Sequence, residues 1–445
     1  MNPNPWLASI SIILVIGFNT LVWGMASVAR IPGRIAVRFR PPVASKYQRE
    51  DVGLIMAAHN EEAVIAASLV AMLKLLPASQ VHIVSDGSSD RTLDIAREFG
   101  VHVLDLQPNR GKAGAIQAGI DHFELMDRFS IVMLHDADTR LSSDYLETGL
   151  PFFDDPDVAA VSGVVKTQTE PPPKTLRGRF LTLHRLRLYA VIQGLVKNGQ
   201  AAKYINVMPI APGFASMYRS DVLAKVNITR PGLVVEDINM TFEIHLQKLG
   251  RVAFHSKCAV AYTQDPDNWT DYCKQVYRWT LGFWQTCRVH KRHVSKFWAS
   301  VVMQATELLL SVIVLGTLLP LMALTIYTEY FAETYGYLMV NGTIVLGTLS
   351  LWHVMIGFFV PDMTLTVYAA ITARRPSLLL LIPFFPFMRF IDSVVVIKSM
   401  WAAFHVKGSN GSWVSPVRRE TVASNTIGKH CLASVSRPVE IERVS

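Results

Sequence analysis

The chain has 445 residues, half of them hydrophobic and only 18% charged, with a net charge of +8. That is apolar for a soluble protein, and the length allows two or three domains. The positive excess calls for no nucleic acid, because much of it flanks long apolar runs, and the four cysteines lack the C-x-x-C spacing of a metal site.

Asn2 to Ala29 carries no charge. A run of that length can cross the roughly 30 Å hydrocarbon layer as one helix. Arg30, Arg34, Arg38 and Arg40 follow the run. A secretory signal carries its positive charge in front, and basic flanks mark the cytoplasmic side. We expect a transmembrane helix over residues 1–30 and a basic linker over 31–50.

Residues 51–270 read as a cytoplasmic domain that alternates strand and helix. "DVGLIMAAHN" is a short apolar run, and "EEAVIAASLVAMLKLL" has helical periodicity. "VHIVSDGSSD" is a second strand and turn, "RTLDIAREFG" a helix closed by Gly100, and "VHVLDLQ" a third strand. "GKAGAIQAGIDHFE" is a helix, and "FSIVMLHDADTR" a fourth strand. Such alternation implies a parallel sheet covered on both faces. Ligands bind beyond the C-terminal ends of its strands. That edge collects His59, Asn60 and Glu61, then Asp86, Gly87 and Ser88, then Arg110, Gly111 and Lys112, and finally Asp136 and Asp138. Spaced i, i+2 in extended chain, Asp136 and Asp138 project to one side. They offer hard oxygens to Mg²⁺ or Mn²⁺, whose remaining positions suit a diphosphate. "FFDDPD" reads as a solvated acidic loop. "LRGRFLTLHRLRLYAVIQGLVKNG" alternates bases with large apolar residues, as in a helix lying on a membrane surface.

"DYCKQVYRWTLGFWQTCRVH" is amphipathic and places Gln275, Arg278 and Trp279 on one helix face. We assign 271–299 to this interface helix, with Trp284 and Trp298 as interfacial anchors. Arg288, Lys291, Arg292 and Lys296 precede the next apolar run and agree with a cytoplasmic insert. Leu308 to Thr328 and Thr334 to Pro361 are uncharged. We expect C-terminal transmembrane helices over 300–404: two spans plus a segment broken near Pro383 and Pro386. Arg389 and Asp392 could pair there at i, i+3 and help line a channel. Residues 405–445 form a polar, basic tail. Three of the four cysteines, Cys258, Cys273 and Cys287, fall on the reducing side, and all four, with Cys431, read as free thiols.

"HDAD" resembles the D-x-D motif of nucleotide-sugar glycosyltransferases. "VVEDINMTFEIHLQKLG" resembles their E-D segment, and "QVYRW" matches Q-x-x-R-W. In this order, between apolar runs, the motifs resemble the membrane-embedded family 2 glycosyltransferases, which include hyaluronan, chitin, cellulose and poly-N-acetylglucosamine synthases. The entry motif "MAAHNEE" keeps Asn60, Glu61 and Glu62, and "SDGS" has one acid where the family commonly has two. The resemblance implies an α/β fold: a GT-A-type, Rossmann-like cytoplasmic glycosyltransferase domain inserted between transmembrane α-helices. It implies inverting transfer from a UDP-sugar to the hydroxyl end of a growing polysaccharide, processive and coupled to export. Single transfer to a lipid-linked acceptor is the alternative, since ceramide-type glucosyltransferases share the layout.

The same resemblance distributes roles. Asp138, supported by Asp136, would hold Mg²⁺ or Mn²⁺ against the leaving diphosphate. Asn60, Glu61, Asp86, Lys112, Asp136, Gln275 and Arg278 would bind the nucleotide-sugar. Asp237 is the candidate general base. Glu236, Gly213 and Trp279 fall on the acceptor side. The implied partners are a UDP-sugar donor, a polysaccharide or lipid-linked acceptor, and the bilayer of the cell membrane.

Overall fold

Strand β1 (Val52–Ala58) divides its side chains between two cores. Leu54 and Met56 enter one and Ile55 the other, the period-2 pattern of a strand buried on both faces. Strand β4 (Ile131–Asp136) does the same, with Ile131 and Met133 on one side and Val132 and Leu134 on the other. The computed structural model describes residues 16–31, 45–290, 294–327, 330, 339–340, 343–344 and 351–405.

Between these strands lie β2 (Val81–Asp86) and β3 (His102–Leu106). The main sheet runs β3-β2-β1-β4 in parallel, as the alternation implies. It then becomes mixed. β8 (Ala215–Arg219) lies antiparallel between β4 and β6 (Val158–Ser162), and β9 (Arg251–Ala253) pairs parallel with β6. The expected all-parallel sheet therefore fails beyond β4. The chain makes a long helical excursion before β8 and re-enters the sheet from the opposite end. β8 follows Gly213 and Phe214 directly and is formed by "ASMYR". Helix α1 (Phe18–Ala29) precedes the domain. Helix α2 (Ile65–Met72) packs on one face of the sheet, and α3 (Thr92–Glu98) lies against α2 and β3. Helix α4 (Gly111–His122) packs on the other face.

A second sheet follows the order β5-β10-β7, from β5 (Thr139–Leu141), β10 (Val260–Thr263) and β7 (Val164–Thr167). β4 therefore ends at Asp136, and a two-residue turn carries Asp138 towards another sheet. The two aspartates are not side by side on one continuous strand.

The helix expected at the membrane surface is α5 (Leu176–Val191), continued by a π-helical turn over Ile192–Lys197. Its basic row is split. Arg177 and Arg179 are exposed, whereas His184, Arg185 and Arg187 are buried against other helices, so the surface reading fails for that half. In the π-helical turn, Gln193 Oε1 accepts from Val165 N at 2.7 Å, and its amide nitrogen donates to Val165 O. Gly199 lies against the backbone of Trp23 so closely that a Cβ would strike the Trp23 carbonyl. Small residues there let α1 dock directly.

Helices α6 (Glu236–Leu246) and α7 (Trp269–Val289) carry the remaining motifs. The 271–299 helix is two helices: α7 ends at Val289 and α8 (Lys296–Ile326) follows. Trp284 and Trp298 are buried beside Phe242 and Phe297. They are core residues and not headgroup anchors. Among the described residues, Lys296–Val314 is the one helix long and apolar enough to cross a membrane. Pro376–Phe384 and the helix that follows it form a bent pair at 64°. Helix α9 (Leu351–Ala373) and helix α10 (Phe385–His405) complete the described chain. Arg389 does not pair with Asp392. Asp362 of α9 takes Arg389 at 3.0 Å and Arg187 at 2.6 Å, while Asp392 accepts from Tyr272 at 2.8 Å. Residues 1–15, most of the basic linker, most of the apolar stretch 331–350 and the tail after 405 lie outside the described residues, as does Cys431; the other three cysteines form no disulfide.

Candidate active site

The parallel strands end level with one another, since Ala58 pairs with Ser85, Asp86 with Leu106 and Ala57 with Asp136. A cleft opens beyond them. Glu61, Asp86, Lys112, Asp136 and Asp138 line it, together with His59. Five of the expected site residues thus share one pocket, as the strand-end rule requires.

Local chemistry shapes the donor side of that cleft. Asn60 takes a left-handed φ of 54°, which Asn tolerates better than most residues. Its side-chain oxygen accepts from Ser89 N at 2.8 Å, so it organises the loop after β2 rather than pointing away. Glu61 is buried and its backbone donates to Thr92 Oγ1. Asp86 is buried at the end of β2, where its Oδ1 accepts from Arg110 N at 2.7 Å. His135 of the HDAD motif is a core residue; burial lowers it to about 4, which keeps it neutral.

Lys112 stands in the first turn of α4. Its Nζ lies 2.8 Å from Asp136 Oδ1 and 3.0 Å from Glu236 Oε1. Burial disfavours its charge, but Asp136 and Glu236, with Asp237 beyond, overcome that and raise its pKa well above the ordinary lysine range. One ammonium therefore joins the D-x-D and E-D motifs.

Asp237 occupies the first turn of α6. Oδ2 accepts from Gly213 N at 2.9 Å, and Oδ1 is buried with no hydrogen-bond partner among the described residues. Burial, then the neighbouring Glu236 carboxylate, push Asp237 up to about 6, against the pull of the Gly213 N–H and the Lys112 ammonium. The resemblance puts Gly213 on the acceptor side. Its observed contact is with the acids: a Cβ there would lie 3.2 Å from Asp237 Cβ and 3.2 Å from Glu236 Oε1.

The α7 motif is outside the cleft lining. Gln275 Oε1 accepts from Arg185 Nη2 at 2.8 Å, and the Arg185 guanidinium lies 4.7 Å from the centre of the Trp279 ring. Arg278 shares the same helix. The helix does reach the E-D segment: Gln285 Oε1 accepts from Val234 N at 3.1 Å, and Gly282 packs on Val235. Sequence reasoning missed two residues here. Arg185 was masked by its place in a row of alternating bases. Lys197 lies where β6 ends, with Nζ 3.3 Å from Ser162 Oγ; burial lowers it to about 8, opposed by Asp237.

Among the described residues, no three His, Cys, Asp or Glu side chains are grouped to hold a metal ion. Asp136 and Asp138 are two hard donors on an open cleft. That set fits a divalent cation that completes its shell with phosphate and water. Negative charge is also in excess there, because one ammonium faces Asp136, Glu236 and Asp237.

Comparison with known proteins agrees in kind. Residues 49–282 match the family described as "Glycosyltransferase like family 2". Poly-beta-1,6-N-acetyl-D-glucosamine synthase of Staphylococcus epidermidis is 27% identical over 270 residues, covering 56% of this chain and 60% of that protein. The probable glycosyltransferase YdaM of Bacillus subtilis (strain 168) is 29% identical over 245 residues, covering 52% and 54%. The match thus spans little more than half the length of these relatives. Among solved structures, the mannosyltransferase PcManGT of Pyrobaculum calidifontis, in complex with GDP-Man and Mn²⁺, superposes with a TM-score of 0.49 at 16% identity, over 89% of this chain and 99% of that one. With the family's match covering more than half of its length, the chain belongs to the family 2 glycosyltransferases.

Proposed function

We propose that the chain transfers N-acetylglucosamine from UDP-N-acetylglucosamine to the hydroxyl end of a growing polysaccharide, with inversion. In this reading it is a multi-pass protein of the cell membrane with a GT-A-type catalytic domain on the cytoplasmic side. It works processively and passes its product out through its own helices. One observation carries the chemistry: Asp237 keeps a buried carboxylate oxygen unpartnered among the described residues, at a pKa near 6, within the field of Lys112, which lines the acidic cleft. The naming of the staphylococcal relatives supports the choice of sugar.

The acceptor hydroxyl gives its proton to Asp237 Oδ1 as its oxygen bonds to the anomeric carbon, and UDP leaves from the opposite face. A base with a pKa close to the working pH is the efficient choice. Gly213 N–H fixes the other carboxylate oxygen, so the base has one orientation. Asp86 sits at the uridine end of the cleft. Lys112 holds Asp136 and Glu236 in register and offers positive charge to the diphosphate. Mg²⁺ or Mn²⁺ on Asp138 and Asp136 would supply Lewis acidity to the leaving group when bound.

The test is UDP release by detergent-purified protein across UDP-N-acetylglucosamine, UDP-glucose and UDP-glucuronate, with Mg²⁺ or Mn²⁺, alongside Asp237→Asn and with products sized on a gel. The expected result is turnover of the first sugar, a high-mass product and a silent variant. A lipid-sized product would replace polymerisation with single transfer. Silence with every donor, oligosaccharide acceptors included, would overturn the proposal.

A further inference from the structure

Arg185 is 1% exposed and is the bulkiest fully buried side chain among the described residues. A buried guanidinium ordinarily sits on a carboxylate, two nitrogens on two oxygens. Here the carboxylate beside it, Asp265, lies 3.9 Å from Nε and accepts a hydrogen bond from Tyr189 at 3.0 Å. The close partners of Arg185 are elsewhere, and all three lie on α7. Its guanidinium is 4.5 Å from the centre of the Tyr272 ring and 4.7 Å from that of Trp279, and it donates to Gln275 at 2.8 Å. Positions 272, 275 and 279 are spaced i, i+3, i+7, a single stripe along the helix. Arg185 therefore reads the stripe that contains two of the three residues of the Q-x-x-R-W motif.

The chemistry of the contact is selective. A guanidinium is flat, stacks on aromatic faces and keeps in-plane donors free for an amide. An ammonium has no such plane. Trp279 is only partly buried. A partly buried indole has several rotamers available, and a cation on one face selects among them.

We propose that Arg185 is a positioning residue for the acceptor: it pins the Trp279 ring and the Gln275 amide so that α7 presents a preset flat face to the terminal sugar. This rests on the polysaccharide reading above. Arg185 itself touches neither donor nor acceptor, and it acts through Trp279.

The experiment compares the full-length protein with Arg185→Lys, Trp279→Ala and the double variant. The probes are UDP-N-acetylglucosamine and a β-1,6-linked N-acetylglucosamine pentamer. UDP release is measured with and without the pentamer. Arg185→Lys should raise the KM for the pentamer roughly tenfold, the scale of a lost positioning contact. The slow UDP release without acceptor, read at saturating donor, should stay at the wild-type value. In the Trp279→Ala background the same substitution should add nothing, because contacting residues that act as a unit are not additive. An unchanged KM for the pentamer, or an equal further loss in the Trp279→Ala background, overturns the inference. Should Arg185→Lys fail to fold, Tyr272→Leu removes the other aromatic ring beside the guanidinium and is held to the same standard. A wild-type protein silent with donor and pentamer defeats the functional reading itself; an active wild type with an indifferent Arg185→Lys defeats only this inference.

Discussion

The parallel half of the sheet and the half beyond β4 build their parts of the site in different ways. In the first, each functional side chain sits where its own strand ends, and the loop after the adjoining strand holds it. Asp86 is fixed by Arg110 N and Asn60 by Ser89 N. In the second, the functional side chains sit on helices and are held from other elements packed against those helices. Gly213 holds Asp237, and Arg185 holds Gln275 and Trp279. The first half is a set of strand ends, the second a set of clasps between elements. Substitutions should therefore raise the donor KM in the first half, and disturb turnover or acceptor use in the second.

The largest expected effect is in the second half. Asp237→Asn removes the base and should lower initial UDP release by about 10²–10⁴-fold while leaving the donor KM near wild type. A full-speed variant would break the assignment. The wild-type rate should fall as pH drops below about 6, because Asp237 works ionised and its raised pKa marks where it takes up a proton. Next comes Lys112→Met, which cuts the ion-pair link between Asp136 and Glu236. Donor KM should rise tenfold or more, on the scale of a lost charge-assisted hydrogen bond, about 1.5–3 kcal/mol. Lys112 also pulls the Asp237 pKa down, so its removal should move the acidic limb of the pH–rate profile to higher pH. A profile that stays in place would show that the two halves are electrostatically independent.

Gly213→Ala is a sharper probe of the clasp. The new Cβ forces a few tenths of an ångström on Asp237 or Glu236, which should lower kcat roughly tenfold without changing the donor KM. The smallest effect belongs to the first half. Asn60→Ala places Ala in a left-handed conformation at a cost of about 1–2 kcal/mol. A lower melting temperature and a donor KM raised a few-fold would fit; a drop in kcat instead would erase the distinction between the halves.

This difference also decides what the sequence makes legible. Strand ends can be read locally: the apolar run gives β4, and the acid after it gives the site. Asp86, Lys112, Asp136 and Asp138 follow from that rule and do line one cleft. Clasps cannot be read this way. Nothing near "LHRLRL" says that one arginine stacks on two rings roughly ninety residues on, and a row of bases looks the same whether it faces lipid or a protein core. Arg389 teaches the same lesson, since its spacing suggests Asp392 while the fold delivers Asp362. β8 was missed for a related reason. Its direction is set by the neighbours it meets and not by its own residues.

Gln193 has a consequence of another kind. A primary amide carries the same pair of groups as a peptide unit, one N–H donor and one C=O acceptor. Through that pair it engages both the N–H and the C=O of Val165 in β7, the outer strand of the small sheet. A bare outer strand is a template for pairing with another chain. A single side chain from a π-helical turn occupies the template at that residue, and self-association through this edge is blocked there without an added strand.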